Sequence, residues 1–366
     1  MQRKTPPYRA DHVGSFLRPP ALKEARAKHE AGEISDAALK AVEDAEIKNV
    51  IARQEEVGLQ LATDGEFRRS WWHFDFLAML DGVDLVVGEK SIQFHGIQTK
   101  ARSLDITGKV GYSTHPMVEH FKFLKANTRV TPKMTIPSPS VLHFRMGRNA
   151  ISKDIYPNID DFFADTAPAY RKAVKDFADA GCRYLQLDDT VWAYLCSAEQ
   201  LEQARQRGDD VDKLPKIYAE MINYAIAERP KDMAITMHVC RGNFRSSWIS
   251  EGGYEPVAEV MFNDVNIDGY FLEYDTDRAG GFEPLRFVPK GDKQIVLGLI
   301  TSKSGTLEKP EDVKRRIEEA TKYVDLEQCC LSPQCGFAST EEGNILTEDQ
   351  QWAKLREIVE LSKEVW

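Results

Sequence analysis

Eight short apolar segments, each followed by a longer stretch of helical periodicity, occupy almost the whole chain, and this alternation constrains the fold most strongly. In chain order, the apolar segments are 11–16, 59–63, 131–139, 184–187, 233–240, 270–272, 294–300 and 329–331. Parallel strands need right-handed crossover connections, and eight such units close a sheet into a barrel. We therefore predict an α/β fold in which residues 1–366 form a single (β/α)8 TIM barrel. The alternative is an open doubly wound sheet, but no Gly-X-Gly-X-X-Gly or P-loop pattern supports a nucleotide site.

Composition restricts the expected partners and location. The formal net charge is -10 and Lys and Arg form no long run, so neither nucleic acid nor an anionic membrane surface is an expected partner. No segment approaches about 18 consecutive apolar residues, and residues 1–7 lack the apolar core of a signal peptide. The 6 cysteines are sparse and irregularly spaced, which indicates reduced thiols rather than a disulfide framework. We expect a cytoplasmic protein.

The second strand–helix unit contains an insertion at about residues 75–127. Residues 85–88 and 101–108 have the pattern of two hairpin strands, with His95 near the tip. Insertions in barrels usually cover or line a site on the catalytic face. We therefore expect this hairpin to lie beside the functional site.

Acidic, imidazole and thiol side chains lie at or just beyond the C-terminal ends of five predicted strands. They are Asp64 and Glu66, Asp188, His238 and Cys240, Glu273, and Cys335. In a barrel these strand ends form one face, where side chains from distant sequence positions meet. His238 and Cys240 also share one face of their strand, because side chains alternate with period two. Taken alone, His-X-Cys more often indicates a core cysteine beside a hydrogen-bonded histidine than a metal site.

The types of donor in this set favour a metal centre. His238, Cys240 and Cys335 form a Cys2His set, and Glu273 adds a weaker, displaceable oxygen ligand, as in an open catalytic zinc site. Zinc fits better than iron, because imidazole and thiolate donors suit it and no iron–sulfur spacing is present. A substrate thiol at such a centre loses its proton readily, and its sulfur can then attack an alkyl carbon.

Nearby residues have the chemistry to hold an amino acid. The carboxylates of Glu66 and Asp188 could bind an ammonium group through charge-assisted hydrogen bonds, and Arg18 is a candidate anion contact. The backbone at Gly14 and Ser15 could receive a carboxylate, because Gly14 allows a close approach. For the charged residues the alternative roles are a solvated turn and surface salt bridges.

These motifs resemble the C-terminal, catalytic half of the cobalamin-independent methionine synthases, and more closely the shorter single-barrel relatives. The matching segments are His12–Ser15, Asp64–Arg68, Gln186–Asp188, His238–Cys240, Glu273 and Cys335–Gly336. The resemblance implies that zinc is held by His238, Cys240, Glu273 and Cys335. It also implies that Glu66 and Asp188 bind the amino group of homocysteine and that Ser15 binds its carboxylate. The expected activity is zinc-dependent S-methylation of homocysteine to methionine.

The chain also departs from this family. It has no room for the second, N-terminal domain that helps the long members bind folate. Ile136–Pro139 stands where the family carries a Trp that stacks on the pterin. The family's proton-donating His has no counterpart in Ile300–Ser304, where Lys303 is the candidate catalytic residue instead. The methyl donor is therefore left open between a folate and a methylated corrinoid protein.

Two further functions remain open at this point. One is a zinc-dependent transfer of an alkyl group or epoxide to a thiol other than homocysteine, as in relatives that resemble epoxide to coenzyme M transferases. The other is a non-catalytic barrel that binds a thiol or a corrinoid, which the missing His and Trp motivate. A homodimer is a further expectation. Cys182, Cys329 and Cys330 lie in apolar runs and are expected to be core thiols.

Overall fold

The computed structural model describes residues 2–87, 93–94, 96–99, 102–145 and 147–366. Within these ranges the α-helices are α1 (Pro20–Glu30), α2 (Asp36–Val57), α3 (Phe74–Leu77), α4 (Pro116–Asn127), α5 (Pro139–Phe144), α6 (Ile159–Asp179), α7 (Val191–Tyr194), α8 (Ala198–Gln206), α9 (Leu214–Ile226), α10 (Glu255–Asp264), α11 (Pro310–Ala320) and α12 (Glu348–Val365). The strands are β1 (Leu61–Ala62), β2 (Asp81–Val87), β3 (Gln93–Phe94), β4 (Ile97–Gln98), β5 (Arg102–Gly111), β6 (Thr131–Pro132), β7 (Met134–Pro137), β8 (Tyr184–Asp189), β9 (Ala234–Val239), β10 (Gly269–Glu273), β11 (Gln294–Ile300) and β12 (Cys329–Pro333). No described helix is both long enough and apolar enough to cross a bilayer.

The main sheet has six parallel strands in the order β12-β11-β10-β9-β8-β7, so neighbours in sequence are neighbours in space. Apart from the first residue of β9, every residue of these strands is buried, as expected for parallel strands covered on both faces by helices. The register places Pro137 beside Asp188, Asp188 beside His238, and His238 beside Phe271. Residues widely separated in sequence thus meet at the C-terminal edge of the sheet.

The first three predicted strands are joined less regularly. β1 pairs in parallel with β6, and Lys133 alone separates β6 from β7. The predicted strand 11–16 forms no regular ladder in the described part of the chain. It is attached by a parallel bridge between Ala10 and Leu331 and by a 2.6 Å hydrogen bond from Thr63 Oγ1 to the Gly14 carbonyl. The predicted α/β class is confirmed, whereas a closed eight-stranded barrel stays a prediction because the ladders here form separate parallel sheets.

A glycine explains the irregularity of this segment. Gly14 has φ +140°, and a Cβ at this position would lie 2.8 Å from Thr135 Cγ2 and 3.4 Å from Glu66 Oε1. Regular strands do not use positive φ, so the chain leaves β geometry here and approaches the site closely.

The insertion contains the predicted hairpin with shifted ends. β2 and β5 pair antiparallel, and a register shift occurs between Asp81 and Val83. Leu104 and Ile106 of β5 are buried, while Val87 of β2 is 79% exposed. A smaller antiparallel pair, β3 with β4, follows β2. His95, predicted near the tip, lies outside the described residues.

Candidate metal centre and substrate cavity

Four side chains converge at the C-terminal edge of the sheet. His238 lies in β9, and Glu273 is the last residue of β10. Cys240 directly follows β9, and Cys335 lies two residues after the end of β12. Each residue offers one potential ligand atom, and these four atoms all lie within 4.8 Å of one another. All four residues are buried. The predicted donor set is therefore brought together by strand order and register.

The spacing of the two sulfur atoms fits a metal-bound pair. Cys240 Sγ and Cys335 Sγ are 3.6 Å apart, and both cysteines are free thiols. Two sulfurs at about 2.3 Å from a tetrahedral zinc ion would be separated by roughly 3.8 Å. In addition, neither ring nitrogen of His238 nor Glu273 Oε2 has a hydrogen-bond partner within the described part of the chain, although all three atoms are buried. Buried polar atoms normally have partners, so these residues fit a cation placed between them.

Backbone amides hold two of the donors in place. Arg241 N donates to Glu273 Oε1 at 2.9 Å, and Gly242 N donates to Cys240 Sγ at 3.3 Å. Both amides belong to the turn that immediately follows β9. The backbone of this turn thus orients Cys240 and Glu273.

The proton affinities of the cluster are strongly interdependent. The hydrogen bond between the thiols, together with burial, raises the pKa of Cys240 well above its usual value. Burial alone would raise the pKa of Cys335, but Cys240 and His238 lower it well below the usual range. Burial disfavours the charged imidazole of His238, yet the neighbouring Cys335 anion and carboxylates leave its pKa raised. The cluster thus favours one thiolate beside a positive charge.

Two carboxylates lie next to the cluster in the same cavity. Glu66 has φ +60°, which is unusual outside glycine, and its backbone N–H donates to Asp64 Oδ1 at 2.9 Å. Glu66 Oε1 accepts a 2.9 Å hydrogen bond from Thr135 Oγ1, while its Oε2 is buried without a partner. Asp188 Oδ1 accepts from Gln186 Nε2 at 2.7 Å. The strained turn at Glu66 therefore directs a carboxylate toward Thr135 of β7, the strand that pairs with the one bearing Asp188.

Burial controls the ionisation of both carboxylates. It raises the pKa of Asp188 to about 7, with Glu66 adding to the rise. Burial also raises the pKa of Glu66, against the opposing effects of Arg69 and Arg18. A bound ammonium group would favour the ionised form of each carboxylate and would satisfy the free Oε2 of Glu66.

Ser15 also lines the cavity and is tightly enclosed. Ala338 N donates to Ser15 Oγ at 3.3 Å. A Cβ on Gly336 would lie 2.0 Å from Ser15 Oγ, so this position accepts only glycine without a rearrangement. Gly336 therefore allows the loop after β12 to approach the first segment closely.

Arg18 and Lys303 are close to the site but are occupied by other contacts. The Arg18 guanidinium donates to four carbonyl oxygens, those of Phe16, Glu66, Arg69 and Ala338. Lys303 Nζ donates to Asn243 Oδ1 at 3.0 Å and to the carbonyls of Gly242 and Ser247 at 3.3 Å. Neither residue is among the described residues that line the cavity. Their geometry is that of residues that fix loops around the site, and their substrate and catalytic roles stay predictions.

The cavity also has lining residues that the strand-end pattern did not identify. They are Trp72, Phe94, Arg145, Thr190, Asn243 and Ser339. Phe94 belongs to β3 and lies 5.3 Å from the Phe244 ring, so the insertion contributes to the cavity wall as expected. The tryptophan pair at 71–72 was a visible signal, but Arg145, Thr190, Asn243 and Ser339 lie on turns and loops whose positions depend on packing.

Residues 9–364 match the family model described as the catalytic domain of the cobalamin-independent synthases. The chain is 56% identical over 368 residues to the "uncharacterized protein YxjG" of Bacillus subtilis (strain 168), covering 100% of this chain and 97% of that protein. It is 25% identical over 331 residues to a methionine synthase of Sulfurisphaera tokodaii, covering 89% of this chain and 84% of that protein.

Two solved structures share the fold. A candidate vitamin-B12-independent methionine synthase from Listeria monocytogenes has a TM-score of 0.82 and 46% identity, covering 100% of this chain and 99% of that one. A B12-independent methionine synthase from Shewanella sp. W3-18-1, solved in complex with selenomethionine, has a TM-score of 0.74 and 20% identity, covering 97% and 96% of the two chains. The resemblance inferred from the sequence motifs is confirmed, because the family model covers nearly the whole sequence, and the chain belongs to the cobalamin-independent synthase catalytic-domain family.

Proposed function

We propose that this protein is a zinc-dependent methyltransferase that converts homocysteine to methionine. Membership of the family and the methionine synthases among its relatives support methyl transfer to homocysteine. The observation that carries the zinc assignment is the convergence of His238, Cys240, Glu273 and Cys335 within 4.8 Å, with two sulfurs 3.6 Å apart. We further propose that the whole chain forms one barrel-like catalytic unit, with the insertion at about 75–127 covering the cavity.

The proposed ligands define what the metal would contribute. Zinc held by His238, Cys240 and Cys335, with Glu273 as the displaceable donor, would supply a Lewis acid that lowers the pKa of the substrate thiol. The chain's own part is to keep the donors anionic and oriented. The amide of Gly242 donates to Cys240 Sγ, and the amide of Arg241 donates to Glu273 Oε1.

The remaining cavity groups would position the amino acid. Glu66 and Asp188 would bind the ammonium group, and their ionised forms would be favoured by its charge. Ser15 and the adjacent backbone would receive the carboxylate. Trp72 and Phe94 would exclude water from the outer part of the cavity, where the methyl donor approaches. The selenomethionine bound by the Shewanella relative is an analogue of the expected product.

Metal analysis and a single substitution test this proposal. The wild-type protein should bind zinc stoichiometrically. It should also form methionine from homocysteine with at least one of three methyl donors offered separately, namely methyl-folate, methylcobalamin and a methylated corrinoid protein. Cys240→Ser should lose most of its zinc and at least 100-fold in rate, because a hydroxyl is a much poorer ligand than a thiolate. Cys182→Ser, at a buried cysteine outside the cluster, is the control and should keep its zinc.

Two results would contradict the proposal. The first is a wild-type protein with no stoichiometric zinc after growth and reconstitution with the metal. The second is a Cys240→Ser variant that keeps both its zinc content and its rate of methionine formation. Methylation of other thiols in preference to homocysteine would instead favour the alternative of a different thiol substrate.

A further inference from the structure

One guanidinium group that faces the substrate cavity has no acidic partner among the described residues. Arg145 caps the C-terminus of α5, on the turn that follows β7, and lines the cavity that contains Glu66, Asp188 and the metal cluster. Its NH1 donates to the hydroxyl of Tyr194 at 2.7 Å. Among the described residues Arg145 forms no ion pair. By contrast Arg69, the nearest cation to Glu66, lies 3.7 Å from its Oε1.

Two other cations near the cavity already have hydrogen-bond partners. Arg18 donates to four carbonyls, and Lys303 binds three oxygens of the loop after β9. Arg145 makes one described hydrogen bond, so other N–H groups of its guanidinium remain available as hydrogen-bond donors. Because Arg145 is only partly buried, these donors can be reached by an anion that enters the cavity.

The position of Arg145 indicates which substrate supplies that anion. Ser15, Glu66 and Asp188 are buried at the inner end of the cavity, where the amino acid's polar groups would bind. Arg145 and Trp72 are partly exposed and therefore lie nearer the solvent. Phe94 lines the same cavity as these two residues, so the site combines a guanidinium with aromatic surface.

We propose that Arg145 binds an anionic oxygen group of the methyl donor, a carboxylate or a phosphate, while Trp72 and Phe94 contact an apolar part of the donor. This inference rests on the proposed function and adds the chemistry of the second substrate. The planar guanidinium matches either anion with two parallel hydrogen bonds. The carboxylates of a methyl-folate and the phosphodiester of methylcobalamin both qualify.

Binding measurements on the zinc-loaded full-length protein test the inference without turnover. Calorimetry would give the Kd of homocysteine, of 5-methyltetrahydrofolate and of methylcobalamin for the wild type and for Arg145→Gln. For whichever methyl donor the wild type binds, we expect the Kd to rise on the order of 10- to 100-fold in Arg145→Gln, because a charge-assisted hydrogen bond is lost. Homocysteine should stay within about twofold of the wild-type Kd.

Two further variants make the comparison specific. Arg145→Lys keeps the charge but loses the planar guanidinium that forms two parallel hydrogen bonds. Its Kd for the methyl donor should therefore lie between those of the wild type and Arg145→Gln. Arg245→Gln removes an exposed arginine from the loop after β9 without touching the cavity lining, and donor affinity should be unchanged. If Arg145→Gln loses its zinc or unfolds, Arg145→Lys gives the same comparison in a folded protein.

The inference and the proposed function fail in different ways. Weaker homocysteine binding with unchanged donor binding would overturn the inference, since Arg145 would then hold the amino acid's carboxylate. Equal affinities in wild type and Arg145→Gln, or a wild type that binds neither donor, would also overturn it. Absence of zinc or of homocysteine binding in the wild type would instead count against the proposed function.

Discussion

At the scale of single residues, the site works by burying groups that normally prefer water. Glu66, Asp188 and the four metal-site residues are all buried, and few counter-charges lie beside them. Burial raises the pKa of Glu66, Asp188 and Glu273, because it disfavours the charged form of each carboxyl. The site is therefore prepared to bind charged ligands, an ammonium group and a metal cation, whose binding restores the missing partners.

The titration of Asp188 predicts a pH-dependent affinity for an amino acid. Its pKa is raised to about 7, so the carboxyl is mostly neutral at pH 6 and mostly ionised at pH 8. Because only the ionised form pairs with an ammonium group, the Kd of methionine should fall by about tenfold between pH 6 and pH 8. Methionine is a suitable ligand, since it has no thiol to titrate. Calorimetry across this range would measure the change.

The matched variant is Asp188→Asn, which keeps the shape and removes the titration. It should bind methionine more weakly than the wild type at pH 8 and with little change between pH 6 and pH 8. A wild-type Kd that is flat over this range, or an equally steep profile in Asp188→Asn, would show that another group governs binding.

At the scale of secondary structure elements, the catalytic face depends on places where regular geometry stops. β8, β9 and β10 deliver Asp188, His238 and Glu273 by regular register, whereas Gly14 and Glu66 adopt positive φ values. Such backbone conformations cost about 1–3 kcal/mol outside glycine and persist where the surroundings impose them. The irregular segments bring their side chains closer to the cavity than a straight strand could.

Replacing Gly14 with Ala tests the importance of this irregular segment. The new Cβ would meet Thr135 Cγ2 at 2.8 Å, and Thr135 is the residue that donates to Glu66. We expect a loss of about 1–3 kcal/mol in the free energy of unfolding and a weaker affinity for methionine. Urea denaturation and calorimetry would measure the two effects.

Gly291→Ala is the control for backbone strain alone. Gly291 has φ +131°, close to that of Gly14, but a Cβ there would meet no atom within 4 Å. It should lose stability without losing affinity for methionine. If the two variants changed both quantities equally, the close contact at Gly14 would have no special role.

At the scale of the whole molecule, a buried ion pair connects the start of the chain to the sheet. Lys133 Nζ lies 3.1 Å from Asp11 Oδ1, both side chains are fully buried, and Lys133 also donates to the His12 carbonyl at 2.5 Å. The hydroxyl of Tyr184 in β8 donates to Asp11 Oδ2 at 2.8 Å. These contacts hold the irregular first segment against β7 and β8.

Lys133→Met should therefore destabilise the fold strongly. The substitution leaves the Asp11 carboxylate buried without its cation, which costs about 3–5 kcal/mol. Lys175→Met removes one member of an exposed pair with Asp179 and should cost less than about 0.5 kcal/mol. The double variant Asp11→Asn with Lys133→Met should recover part of the loss. Equal stabilities of the two single variants in urea denaturation would show that the buried pair is not needed.

Much of this arrangement could be predicted from the sequence because it follows from strand order. His238, Cys240, Glu273 and Cys335 come directly after or within apolar strands, so parallel topology alone brings them to one edge. Arg145, Asn243 and Ser339 could not be identified in this way, since they lie on turns positioned by contacts distant in sequence. The irregular path of segment 11–16 was also missed, because an apolar pattern does not reveal a positive φ.

The single bridge between Ala10 and Leu331 has a consequence for how ligands act on the molecule. Ser15, five residues further along, would hold the amino acid whose other end rests on Glu66 and Asp188. A bound substrate would therefore add a further connection between the beginning of the polypeptide and strands from its middle, where an isolated bridge stands in place of a continuous ladder.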